Sequence, residues 1–141
     1  MRKRFFWFAA LAWPLLILTV VPGLQAPLIA HPTQPIKPLR VWTAVVSWYG
    51  PHFHGRKTAS GQTYNMFAPT AAHAWLPLGS LVRLVNVKTG QTQVVRVNDR
   101  GPVNDDDREM DVSFMAATRL GLLERGVARF RLELLQEPKR P

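Results

Sequence analysis

Pro22, Pro27, Pro32, Pro35 and Pro38 fall within seventeen residues and decide how much of the chain can fold. Each proline fixes φ and removes a backbone donor, so this stretch can enter neither helix nor sheet and favours extended polyproline II. The 141-residue chain is thereby divided. Residues 1–23 form an N-terminal segment, 24–40 a proline-rich linker, and 41–136 the only stretch able to build a core, with 137–141 as a tail. About a hundred residues suffice for one small domain. The sequence holds no cysteine. Neither disulfide nor thiolate metal site can staple the domain, a cysteine nucleophile is excluded, and a lipid-modified N-terminal cysteine is not expected. Apolar burial must hold the fold.

The N-terminal segment has the form of an address. Arg2-Lys3-Arg4 precedes an apolar run from Phe5 to Val21, interrupted by Pro14. Signal-peptide apolar regions span roughly 7–15 residues, and membrane spans need roughly 20. The run lies between the two, so the segment reads as either a cleaved signal peptide or a retained anchor. Both readings export the domain, to the periplasm or to the outer face of the inner membrane, with membrane contact confined to this segment. The chain carries 18 Lys+Arg against 9 Asp+Glu, and the segment accounts for three of the cations. The remaining basic excess suits a polyanionic partner. No interleaving of aromatic and basic residues points to nucleic acid.

From Val41 the signals are mostly β. Val41–Tyr49 is rich in β-branched and aromatic residues and stops at Gly50-Pro51. Leu81–Val87 and Thr92–Asn98 read as a hairpin joined by Lys88-Thr89-Gly90-Gln91. Arg129–Leu135 alternates apolar and charged side chains, the pattern of a half-buried strand. One short helix is expected, with Ser113 as N-cap, Phe114, Ala117 and Leu120 on one face, and Gly121 as terminator. The class is mainly β: a small barrel with one or two short helices.

Every acid lies at or after Asp99, which confines carboxylate chemistry to the C-terminal third. In Gln93–Arg100, alternation puts Asp99 on the face of Val95 and Val97. An apolar setting raises a carboxyl pKa, as a general acid requires; a turn-capping role is the structural alternative. Asp111, just before the helix, is the second candidate, with a helix-start role as its alternative. His73 could orient a carboxylate or a sugar, or be a core histidine. His52 and His54 lack a third ligand, and Asp105-Asp106-Asp107 lacks the spacing of a calcium loop, so no metal or other cofactor is expected. Trp48, Tyr49, Tyr64 and Trp75 are aromatics suited to sugar stacking or to packing.

Taken in order, Ser47-Trp48-Tyr49-Gly50, Phe53-His54-Gly55, Thr58-Ala59-Ser60-Gly61, Thr70-Ala71-Ala72-His73, Leu76-Pro77-Leu78-Gly79, Val97-Asn98-Asp99-Arg100-Gly101-Pro102, Asp111-Val112-Ser113 and Gly126-Val127-Ala128-Arg129 resemble the RlpA-like lytic transglycosylase domain. That resemblance covers about Val45 to Leu135 and implies a six-stranded double-psi β-barrel. It implies cleavage of peptide-poor peptidoglycan glycan strands to 1,6-anhydromuramic acid ends, with wall-remodelling or cell-division proteins as partners. Asp99 aligns with the family's aspartate and His73 with its histidine, as catalytic residues. Gln62, Asn65, Trp48, Tyr49, Arg100 and Asp111 are then expected to line the substrate site. The chain departs from the pattern at Gln62, where the family often has glutamate, and at Asn65, where it often has aspartate. An amide can hydrogen-bond a sugar but cannot donate a carboxylic proton. The alternative is therefore a non-catalytic, wall-binding or expansin-like module on the same barrel.

The basic and apolar pattern of the N-terminal segment yields the first prediction. Residues 1–40 fused to a reporter active only in the periplasm should give an active reporter. A stably expressed but silent fusion would refute export.

Overall fold

The computed structural model describes residues 36–102 and 108–139. The N-terminal segment, the linker up to residue 35, the run Asp105-Asp106-Asp107 and the last two residues lie outside the described residues. Six strands close into a barrel: β1 (Arg40–Trp48), β2 (Thr70–His73), β3 (Leu81–Val85), β4 (Thr92–Asp99), β5 (Met110–Val112) and β6 (Val127–Gln136). Their order around the barrel is β1-β5-β2-β4-β3-β6. A 3₁₀ turn, Pro51–Phe53, and one helix, α1 (Phe114–Arg119), complete the structure. Two pairs are parallel, β1 with β5 and β2 with β4, and they interlock the two halves of the chain. That interlock makes this a double-psi barrel rather than a meander.

Local chemistry explains most boundaries. β3 ends at Val85, two residues before the expected end, because Asn86 turns the chain. Its Nδ2 donates to the Leu120 carbonyl, and its Oδ1 accepts from the Lys88 and Thr89 N–H groups. Ser113 caps α1 as expected: its hydroxyl accepts from Ala116 N and donates to the Ala68 carbonyl. Gly121 ends the helix at φ +66, which brings Leu122 N back to the Ala117 carbonyl. β2 and β5 were not foreseen. At four and three residues they are too short to show a period, and Ala71-Ala72 has weak strand propensity.

The barrel is filled by one face of each strand. Ala44 and Val46, Ala71, Val82 and Leu84, Val95 and Val97, Met110 and Val112, and Phe130, Leu132 and Leu134 form the core. Ala116 and Ala117 of α1, with Leu120 at its C-cap and Leu122, close one side. With no covalent staple in the sequence, these contacts carry the stability.

Phe130 is fully buried at the centre of this set. Phe130→Ala should lower unfolding free energy by about 3–5 kcal/mol, the range for a buried aromatic truncated to Ala. Urea denaturation of full-length protein measures this. A loss under about 1 kcal/mol would show that the core does not depend on this position.

Candidate active site

β2 is hydrogen-bonded on both sides, and its register assembles the site. Ala71 pairs with Val97 of β4 and Val112 of β5, all facing the core. The next residue, Ala72, lies on the opposite face and pairs with Asp99 on one side and Asp111 on the other. Asp111 in turn pairs with Ser47 of β1. Asp99, Ala72, Asp111 and Ser47 thus form one row across four adjacent strands. At about 4.8 Å per strand, the two aspartate Cα atoms are about 10 Å apart. The small methyl of Ala72 between them leaves space for both carboxylates.

The expected alternation in β4 fails at one residue. The register shifts so that Asn98 has no partner on β2, a β-bulge. One extra residue reverses the phase of everything after it, so Asp99 leaves the face of Val95 and Val97. Its carboxyl is half-buried and held by backbone rather than set among apolar side chains: Oδ1 accepts from Ala59 N and Arg100 N, both at 2.8 Å. The Ala59 N–H is presented by a closed loop. Lys57 bridges Thr63, Thr58 N bonds the Gln62 carbonyl, and Gly61 at φ +83 makes the tight turn. Ser60 N bonds the Asn98 carbonyl, seating this loop on the bulge. Gln62 points its Oε1 at Asn98 Nδ2, 3.0 Å away.

Tyr49 follows the end of β1, and its ring packs on Tyr64 and Phe53, at 5.0 and 5.8 Å between centroids. Its buried hydroxyl makes no hydrogen bond of good geometry to any protein atom among the described residues. Burial pushes the phenol far above its usual pKa, and the Asp99 and Asp111 carboxylates raise it further. Tyr49 therefore remains a neutral proton donor near both acids. Asp111 accepts a short hydrogen bond from the Ser47 hydroxyl. Arg108 donates to Ser47 at 3.0 Å and lies 3.8 Å from Asp111. Ser47 and Arg108 were not among the expected site residues. Ser47 is signalled only by its register with Asp111, which sequence spacing does not reveal.

His73 sits elsewhere. It pairs with Met110 on the inner face of β2, opposite to Ala72, and is fully buried. Its Nδ1 accepts from Trp75 N and Leu76 N, both at 3.3 Å, which leaves Nε2 to carry the proton toward Glu109 at 3.2 Å. Trp42 donates to the same Glu109 oxygen at 2.8 Å. Arg100 sends Nη1 to the His73 and Leu76 carbonyls, at 3.1 and 2.7 Å, so its guanidinium clamps the loop after β2. Trp48 packs edge-on against Phe114 beside the core. Asn65 accepts from Phe67 N in a local turn, and His54 accepts from Met66 N. The structure brings Asp99, Asp111 and Tyr49 together; Trp48, Asn65, Gln62, Arg100 and His73 hold the surrounding loops and core.

Residues 42–132 match the family model described as lytic transglycolase. The endolytic peptidoglycan transglycosylase RlpA of Pseudomonas aeruginosa (strain UCBPP-PA14) is 53% identical over 87 residues, which are 62% of this chain and 25% of that protein. The protein of the same name from Neisseria meningitidis serogroup A is 50% identical over 91 residues, 64% of this chain and 38% of its own length. The chain thus spans only about a quarter to two fifths of these curated relatives. Among solved structures, a Streptomyces papain inhibitor superposes with TM-score 0.58 at 23% identity, covering 72% of this chain and 99% of that one. Cerato-platanin 3 from M. perniciosa gives 0.52 at 12% identity, covering 67% and 95%. These two likenesses establish the barrel fold.

The buried His73 makes stability depend on pH. Burial lowers its pKa from 6.5, with Glu109 opposing and Arg100 and Arg40 assisting the shift. Below about pH 6.5 the unfolded chain binds a proton that the folded one resists, so stability falls as pH falls, by at most about 1.4 kcal/mol per pH unit. Urea titrations at pH 7.5, 6.5 and 5.5 should show this loss in the wild type. His73→Gln, compared over the same interval, should show a shallower loss. Parallel pH profiles would refute a His73 contribution.

Proposed function

This chain belongs to the lytic transglycolase family, and on that premise we propose that its barrel is an endolytic peptidoglycan transglycosylase acting outside the cytoplasm on peptide-poor glycan strands. The observation that carries the reading is the row of β4, β2 and β5, in which Asp99 and Asp111 flank Ala72 with Tyr49 close to both carboxylates. Asp99 is the proton carrier. Two backbone N–H groups fix its Oδ1, which directs Oδ2 to the glycosidic oxygen. In its acid form Asp99 protonates that oxygen as the C1–O bond breaks. The resulting carboxylate then takes the proton of the same sugar's 6-hydroxyl while O6 bonds to C1, closing the 1,6-anhydro ring. The proton count closes, no water is consumed, and one carboxyl serves as acid and then base.

Asp111, tied to Ser47 and near Arg108, supplies negative charge facing the oxocarbenium carbon. Tyr49, kept neutral by burial, holds its phenolic O–H close to both carboxylates. His73, on the inner face, positions the loop that Arg100 clamps. It does not touch the glycan.

A second reading is favoured by one contact. Gln62 spends its carbonyl on Asn98 and offers only a neutral amide, which suits a barrel that binds strands without cutting them, in the manner of expansins.

Asp99→Asn should abolish release of anhydro ends, a loss of about 10²–10⁴-fold for one positioned proton carrier, while pull-down of strands persists. Digestion of peptide-free glycan with mass spectrometry of the ends measures it, after the variant is shown to melt like the wild type. Gln62→Glu keeps an acceptor for Asn98 and should raise cleavage. Equal cleavage by wild type and Asp99→Asn would refute Asp99 as the carrier. Strand binding by every variant with cleavage by none would establish the second reading.

A further inference from the structure

A second cleft, of about 330 Å³, opens where the β3–β4 hairpin meets the start of β6. Lys88, Arg125 and Arg129 line it, with Val87, Val127 and Ala128 as its apolar wall. All three cations are exposed, and their side chains make no hydrogen bond or ion pair among the described residues. Val87 and Val127 are themselves 61% and 46% exposed, unusual for valines beside a cleft that nothing fills.

The cleft is continuous with the row that holds the aspartates. Val127 pairs with Ser47, which pairs with Asp111. Two strand spacings separate Val127 from Asp111, about 10 Å. A strand lying across Asp99 and Asp111 that follows this row passes from β4 over β2, β5 and β1 to β6, curving with the barrel to the wall of the cleft.

The chemistry of the lining selects the ligand. Its neutral polar groups are already engaged: Asn86 is bonded through both Nδ2 and Oδ1, and the Thr89 hydroxyl donates to Gln91. Phe130, the aromatic in the lining, is fully buried and offers no face for a sugar ring. What remains open is three positive charges beside exposed aliphatic surface. Such a lining fits an anion on a short aliphatic arm and not a neutral sugar.

We propose that the Lys88–Arg125–Arg129 cleft is an anion subsite that takes a carboxylate carried on a short alkyl arm of the wall strand. The proposal rests on the transglycosylase reading for its strand. Two parts of the wall carry this group: the lactyl ether of a bare muramic residue, and the carboxylates of attached peptide stems.

The test uses full-length protein carrying Asp99→Asn, so that binding is read without turnover, with and without Lys88→Gln, Arg125→Gln and Arg129→Gln together. Probes are peptide-free strands, the same strands with lactyl carboxylates converted to neutral methylamides, and strands retaining their stems. The parent should bind peptide-free strands about tenfold more tightly than the amidated ones, the sum expected of three exposed ion contacts. The triple variant should lose that preference and show a shallower salt dependence. A preference on bare strands assigns the lactyl carboxylate; one confined to stem-bearing strands assigns the stems. Equal binding of free and amidated strands, with stem-bearing strands bound no more tightly, would overturn the subsite. So would a triple variant that binds as the parent does. Loss of binding to phosphatidylglycerol vesicles, with strand binding unchanged, would overturn it in favour of a membrane surface. Absence of anhydro ends from the wild type is a separate readout and bears on the transglycosylase reading alone.

Discussion

Backbone hydrogen bonds from β2 to β4 and to β5 fix the distance between Asp99 and Asp111, and the rest of the site follows from them. Two carboxylates repel each other and would drift apart on mobile loops. Here each is rooted in a strand, and the strands are held by a third that contributes only a methyl group between them. Tyr49 then needs only to reach over from the end of β1. The pair is rigid because its spacing is a lattice spacing of the sheet, not a compromise among side chains.

The same arrangement separates the polar work into two compartments. On the outer face stand Asp99 and Asp111, with Ser47 buried against Asp111 and Tyr49 close to both acids. On the inner face His73 meets Glu109 through Nε2 and the Trp75 and Leu76 N–H groups through Nδ1, and Trp42 donates to the same Glu109 oxygen. Arg100 joins the two, since its N–H holds Asp99 and its guanidinium holds the carbonyls of His73 and Leu76. Loss of the inner set would therefore be felt at the outer face through a shifted backbone rather than through a missing contact.

Much of this was legible in the sequence, and what was not has a physical reason. Long alternating segments such as Arg129–Leu135 identified themselves, because burial of one face imposes a period of two. Ser113 and Gly121 announced the helix ends through their capping chemistry. The short strands β2 and β5 were hidden, since three or four residues cannot display a period and their identity is set by partners far away in the chain. Asp99 was identifiable as a candidate, but its orientation was not. A bulge at Asn98 leaves no local mark, being produced by register against β2 and by the loop that docks through Ser60 and Gln62. Ser47 joins the site only through a strand pairing that spacing along the chain cannot show, whereas Arg108 stands three residues before Asp111 and reaches it locally.

The pairing of β1 carries a consequence for the order of folding. Its partners are β5 and β6, and Arg40 is matched with Leu134. β3 with β4 is the one strand pair that can form from neighbouring sequence. β1 and β2 must wait for strands made much later, and the ring cannot shut until β6 is present. Such long-range closure is slow, because chain entropy is lost before the contacts that compensate it are formed. Throughout synthesis the growing chain therefore stays unclosed, and a chain that lacks β6 leaves the edges of β1 and β3 without their partner.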